Sequence, residues 1–311
     1  MKERIFNGII VIISVFVLIQ LVVKKRIIYA SIMFALSMWV NNLIPALFPF
    51  FIISDILINY NIIYYIPSVI KNFCKRIFNI NDGMMAILLL SMISGFPSNA
   101  RNTRLLYDKG EISVDEANHI LIFTHFANPV FILTTVAVFF LHNEKMGIIL
   151  LITHYFSNFI LGICFRKSIS YDNNGHDSID NTGNLGTIFV NAIKKAIDTI
   201  LTICGIVIIF LMFSTIIIDA FKLTGYNATI VKGIFEITIG IEALSKLSLS
   251  SIHTAVMASM FLAFGGISVH VQVFSQIAGT QIKYLYFFIG RMYQMIIAGI
   301  LTYMACILVG I

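Results

Sequence analysis

Charge is scarce in this chain. Only 12% of its 311 residues are Asp, Glu, Lys or Arg, against 59% hydrophobic, and the mean hydropathy is +0.92. No water-soluble core could hide that much apolar surface, so the composition excludes a soluble globular domain and predicts an all-α, polytopic membrane protein. Cysteine is equally sparse: Cys74, Cys164, Cys204 and Cys306 stand far apart with no C-x-x-C, so neither a disulfide framework nor a zinc site is implied. There is no Ser/Gly-rich tract, and residues 168–186 are the one long polar interval, which leaves no room for a separate catalytic domain. Also missing are G-x-S-x-G, G-x-x-x-x-G-K-[ST] and any paired carboxylates in a glycosidase-like setting, so neither an enzyme nor an ATP-driven pump is expected. His119, His125, His154 and His270 show no metal-ligand spacing, and no metal or other cofactor is anticipated. The excess of Lys+Arg over Asp+Glu is scattered between apolar runs. That pattern suits loops beside an anionic bilayer, and no nucleic-acid partner is expected.

What is present is a series of apolar runs. The run 5–23, flanked by Lys2 and Arg4 before it and Lys24-Lys25-Arg26 after it, has the length of a bilayer core and no small-residue cleavage site, so residues 1–26 read as a retained transmembrane helix. Within a first unit, 27–167, the run 27–59 should kink or break at Pro45 and Pro49. The run 84–93 is too short to span and should be re-entrant or buried. A helix ends at Leu105-Leu106-Tyr107, Gly110 takes the left-handed conformation, and Ser113 with Glu116 forms a capping box for a helix starting near Val114. His119, His125, Asn128 and Pro129 interrupt that helix, and the run 147–165 closes the unit. Residues 168–186 are a polar linker. The second unit, 187–311, repeats the order: a long run 189–221, a short piece 233–244 ("GIFEITIGIEAL"), a run 252–278 softened at Gly265-Gly266, and a final span 284–309. "FTHFANPVFI" at 123–132 and "FLAFGGISVH" at 261–270 echo one another. Interrupted segments recurring in two halves predict two internal repeats of the inverted kind, with re-entrant hairpins and broken transmembrane helices.

Unwound backbone at membrane depth survives only where protein or a cavity satisfies it, so the breaks at 95–97, 128–129 and 265–266 predict a lined cavity. Helix N-termini at such breaks favour an anion. Around the first break the candidate contacts are Ser94, Gly95, Ser98, Asn99, Arg101 and Asn102; the guanidinium of Arg101 suits a carboxylate. Asn128 marks the second break, and Gly265, Gly266, Ser268, His270 and Gln272 the third. Glu236 and Thr238 lie in the short piece 233–244. An ionised carboxylate is costly there unless paired or wetted, so Glu236 and Glu242 are expected to bind a coupling cation or proton or to pair with Arg101 or Arg291. Arg291 and Gln294, one turn apart in the last span, should face the bundle interior, as should His154, Ser157 and Asn158. Plainer roles compete: Arg101 and Arg104 as loop cations, Asn99 and Asn102 as caps, Glu242 as a neighbour of Lys246, and the polar stripes as helix–helix hydrogen bonds.

The strings "IPALFPFFIISDILI", "SGFPSNA", "LYDKGEIS", "EANHILIFTHFANPVFI" and "SMFLAFGGISVHVQV" resemble the sporulation integral membrane protein YlbJ family, also called stage V sporulation protein V, of endospore-forming Firmicutes. The resemblance runs from about residue 27 to the C-terminus. It implies nucleoside-recognition (Gate) domains, a distant likeness to concentrative nucleoside transporters, and movement of dipicolinic acid from the mother cell across the outer forespore membrane. The expected partners are thus a small anionic solute, the lipid bilayer and a coupling ion, with the oligomeric state left open. Two further readings stand beside the carrier: a morphogenetic membrane scaffold of the spore envelope, and a nucleoside transporter.

Overall fold

A computed structural model of the chain describes residues 2–60, 62–166 and 184–311. Among the described residues every regular element is helical. Helix α1 (Lys2–Val23) is followed at once by α2 (Lys25–Met38), and Lys24 at the joint pairs with Asp219. A π-helical turn, Trp39–Leu43, links α2 to α3 (Ile44–Asn59). Of the kink or break expected at the prolines, the break does not occur. The π turn lies immediately ahead of Pro45, so the helix is widened where the proline would otherwise clash, and the chain continues as one span from Lys25 to Asn59.

Next come α4 (Ser68–Phe78) and α5 (Asp82–Ser94), bent by 97° relative to each other. Met84, Met85, Ile87, Leu88 and Leu90 are all buried, so α5 is apolar on every side and sits inside the protein, as its short length required. The turn at Gly95-Phe96-Pro97 leads into α6 (Ser98–Asp108), and Gly110 and the Ser113–Glu116 capping box then start α7 (Val114–Phe123). The chain is unwound over 124–128, resumes as π helix through Phe131–Phe140, and crosses back as α8 (Glu144–Cys164). The linker 168–186 lies, as far as residue 183, outside the described residues; Asn184 caps α9 (Leu185–Ala220).

After α9 the short hairpin-like element expected around 233–244 is formed by α10 (Gly225–Phe235) and α11 (Ile237–Ser245), which part at Glu236 and pack on each other. Helix α12 (Ser251–Phe264) and α13 (Gly266–Ile277) are separated by Gly265, and α14 (Tyr284–Val309) ends the chain. Among the described residues, five helical stretches are long and apolar enough to cross a membrane, six if the bent α4–α5 pair is one span.

The long helices carry their polar residues inward. On α14, Phe287, Gly290, Arg291, Gln294, Ala298 and Thr302 lie on one face and are buried, while Ile296, Ile300, Met304 and Leu308 face outward. Helix α14 packs on α12, α8 and α7, and α9 packs on α2 and α3. A methyl group added at Gly290 would stand 2.1 Å from the Ile122 carbonyl oxygen, so α14 meets α7 backbone to backbone. Gly290→Ala should therefore destabilise the fold by about 1–3 kcal/mol. Gly205→Ala, on an open face of α9 with nothing within 4 Å, should not. Thermal unfolding midpoints of the two variants in detergent check this.

Candidate functional site

Four interruptions of the helical chain meet inside the bundle. At the first, Gly95 takes φ +76°, and a side chain there would come within 2.5 Å of the Asn128 backbone nitrogen. The Ser94 hydroxyl donates to the Leu90 carbonyl at 2.6 Å, and the Ser98 hydroxyl donates to the Gly95 carbonyl. Asn128 joins this turn to the second interruption. Its Nδ2 donates to the Ile93 carbonyl at 3.0 Å, and its Oδ1 accepts from the Val130 and Phe131 amides at 2.8 and 3.3 Å.

The second interruption, 124–128, has its main chain satisfied by side chains of neighbouring helices. Arg291 Nη2 on α14 donates to the Ile122 carbonyl at 2.8 Å. Asn158 Nδ2 on α8 donates to the His125 carbonyl at 2.8 Å, and the Ala127 amide donates to His154 Nε2 at 2.9 Å. Gln294 in turn donates to the His154 carbonyl and the Ser157 hydroxyl, so the two polar stripes do face each other across the interior.

At the third, Glu236 is extended (φ −148°, ψ 121°) between α10 and α11; its own carboxylate accepts from the Ile239 amide at 2.9 Å and from the Thr238 hydroxyl at 3.2 Å. The fourth is Gly265-Gly266, with φ +87° and +69°. A methyl at Gly265 would lie 3.0 Å from His125 Nε2, and one at Gly266 would lie 3.2 Å from the Ile237 nitrogen and the Phe235 oxygen. Phe96 stacks on His125 at 4.8 Å. The first break thus touches the second, the second the fourth, and the fourth the third. Between them, Phe96, Asn128, Glu236, Thr238, Val269 and Gln272 help to line a cavity of about 30 Å³. Small-molecule pockets begin near 300 Å³, so the cavity as it stands is too small for one.

Beside the crossing lies an uncompensated charge. Arg291 is 0% exposed, makes no ion pair among the described residues, and leaves Nε and Nη1 without a protein partner. The Phe287 ring is 5.2 Å from its guanidinium carbon and 5.2 Å from the His125 and His270 rings. His270 bonds to the Tyr284 hydroxyl at 2.6 Å and to the Phe264 carbonyl at 3.0 Å, just ahead of the fourth break. Side-chain atoms of Asn99, Asn102, His125 and Ser268 are buried without partners as well. Glu236, only 3% exposed, likewise has no cation within ion-pair distance among the described residues.

One curated relative is the sporulation integral membrane protein YlbJ of Bacillus subtilis (strain 168), 30% identical over 303 aligned positions that cover 85% of this chain and 74% of the relative. The chain belongs to the YlbJ family. No protein-family model matches it, and no solved structure does.

In this YlbJ-family chain the structure brings Ser94, Gly95, Ser98, Asn128, Glu236, Thr238, Gly265, Gly266, His270 and Gln272 to the crossing or its walls, with Arg291 behind it. Two expectations need correction. Arg101 pairs with Asp55, at 2.9 Å, and not with Glu236 or Glu242; Asp55 on α3 also has Lys195 of α9 at 3.6 Å, and Glu242 pairs with Lys246. Asn99 and Asn102 are no caps: they lie inside α6, buried. Asp55 was missed, although the signal was in the sequence, since it is the single acid in the run 27–59. The Asp55–Arg101 pair has side-chain exposures of 2% and 12%, and breaking such a buried pair costs about 3–5 kcal/mol. Arg101→Ala should therefore lower stability by about that amount, and Asp55→Asn should add little to it in the double variant. A double-mutant cycle on thermal unfolding measures the coupling.

Proposed function

We propose that this chain is a secondary carrier for a small anionic metabolite, and that its solute is dipicolinate moved from the mother cell across the outer forespore membrane. The observation that carries this reading is the meeting of four interrupted segments at one buried cavity inside a bundle of membrane-length helices. A membrane protein whose task was scaffolding would gain nothing from main chain held open at such cost. The unpaired guanidinium of Arg291 supports an anion in particular: an isolated buried cation is expensive, and a carboxylate arriving beside it removes the expense. The relative's name places that protein in sporulation, and dipicolinate, a planar dianion, fits the charge. The two series of interrupted elements, α2 to α8 and α9 to α14, are read as inverted repeats between which the solute sits.

One helix start is already taken. Glu236 caps α11 with its own carboxylate, so that terminus does not hold a second anion. The start of α6 is largely taken as well, since the Ser98 and Ala100 amides donate to the Gly95 and Pro97 carbonyls at 3.1 Å; the start of α13, at Gly266 beside the third break, has no side-chain cap.

Labelled dipicolinate uptake by purified protein in liposomes tests the reading. Uptake above that of protein-free vesicles supports it, and equal uptake with correctly inserted protein rejects it in favour of a scaffold. Competition by uridine in place of dipicolinate would point to a nucleoside carrier. Arg101→Ala does not separate carrier from scaffold, because Arg101 holds the fold through Asp55. Arg291→Lys does: it keeps the charge and loses the planar fork, and should raise the half-saturating concentration about tenfold or more.

A further inference from the structure

Glu236 is a carboxylate in the wall of a cavity read as an anion site, and this poses a physical problem that the carrier reading leaves open. It is buried and capped by Ile239 and Thr238. Asn128, Thr238 and Gln272 share its cavity, and the rest of the lining is apolar. The charged and titratable groups on the surrounding elements are engaged elsewhere or exposed. On α9, Lys195 pairs with Asp55, Asp219 pairs with Lys24, and Lys194 and Asp198 are exposed. On α11, Glu242 pairs with Lys246; on α13, His270 bonds Tyr284 and the Phe264 carbonyl. On α12, His253 is exposed; His125 lies against Phe96 and Gly265; and on α10, Lys232 makes no ion pair with Glu236 among the described residues. A solute dianion entering this cavity would face the Glu236 charge across a few ångströms of low-dielectric protein.

We infer that Glu236 is the coupling site of the carrier and that it binds a proton together with the anionic solute. The proton arrives from the acidic side on Oε1 and leaves to the other side after the solute has gone. One proton and one solute molecule cross in each turnover. The local hydrogen bonds accept both states. With the carboxylate charged, the Thr238 hydroxyl donates to Oε1; with Oε1 protonated, the carboxyl donates to the same hydroxyl, and Ile239 N–H stays on Oε2. A sodium ion fits less well. It takes several oxygen ligands, whereas both Glu236 oxygens are already bonded, and the Asn128 oxygen is taken by Val130 and Phe131.

This inference rests on the carrier reading, and one set of liposome measurements separates their failures. Labelled dipicolinate uptake is followed with an acid-outside pH gradient, with no gradient, and with an inward sodium gradient at constant pH, while an internal dye reports proton entry. The wild-type protein should take up dipicolinate several-fold faster under the acid-outside gradient, gain nothing from sodium, and carry protons in proportion to solute. In Glu236→Gln the ratio of rates with and without the pH gradient should fall to unity, and Glu236→Asp should restore it. Thr238→Val removes the hydroxyl from both forms, and since its bond to the charged form is the stronger of the two, the carboxyl holds its proton to higher pH. The midpoint of the pH–rate curve should then move up by about one unit. Uptake indifferent to the pH gradient, driven by sodium, or still gradient-driven in Glu236→Gln overturns the coupling role and leaves the carrier standing. No uptake in any arm overturns both.

Discussion

Every main-chain amide and carbonyl that leaves a helix inside a membrane must find its partner in protein. In this chain that requirement shapes the interior. The unwound stretch 124–128 exists because α8 and α14 bring His154, Asn158 and Arg291 to it, and Asn128 returns the service to the open carbonyls of α5. Remove those side chains and the unwound chain has nothing to replace helical hydrogen bonds. The polar stripes on α8 and α14 are therefore the scaffold of the site as much as a lining for it.

The same requirement explains why the breaks are together. An interruption alone in lipid would need its own set of partners, but interruptions packed on one another share them. His125 has its carbonyl held by Asn158, its ring stacked on Phe96 and its edge against Gly265, and so belongs to three of the four. The glycines at 95, 265 and 266 allow the approach, since a side chain at any of them would run into the neighbouring break. The result is a small cavity surrounded by elements that end in turns.

Charge is distributed with the same economy. Asp55, Arg101 and Lys195 tie α3, α6 and α9 together near the crossing, an arrangement that fixes helix positions. Arg291 and Glu236 are left without ionic partners among the described residues, on different walls of the interior. A buried ion pair holds a structure, whereas a buried single charge makes sense where a ligand or a proton completes it.

Local chemistry was legible in the sequence wherever it depended on neighbours along the chain. Run lengths marked the spans, Gly110 with Ser113 and Glu116 marked the start of α7, and Gly95-Pro97, Asn128-Pro129 and Gly265-Gly266 marked three of the four interruptions. The remaining one, at Glu236, had no glycine or proline to announce it, because Glu236 opens the helix by capping α11 with its own side chain. Pro45 and Pro49 signalled a break that a π turn absorbs. Pairings between distant residues were out of reach: Asp55 lies 46 positions from Arg101, and nothing local says which acid a buried arginine will meet. The sequence by itself determined which runs are long enough to cross and three of the places where the chain opens, since those follow from run length and from the backbone demands of glycine and proline. Only the tertiary structure decided that the openings converge and which charges remain unpaired there, because both depend on how whole helices pack.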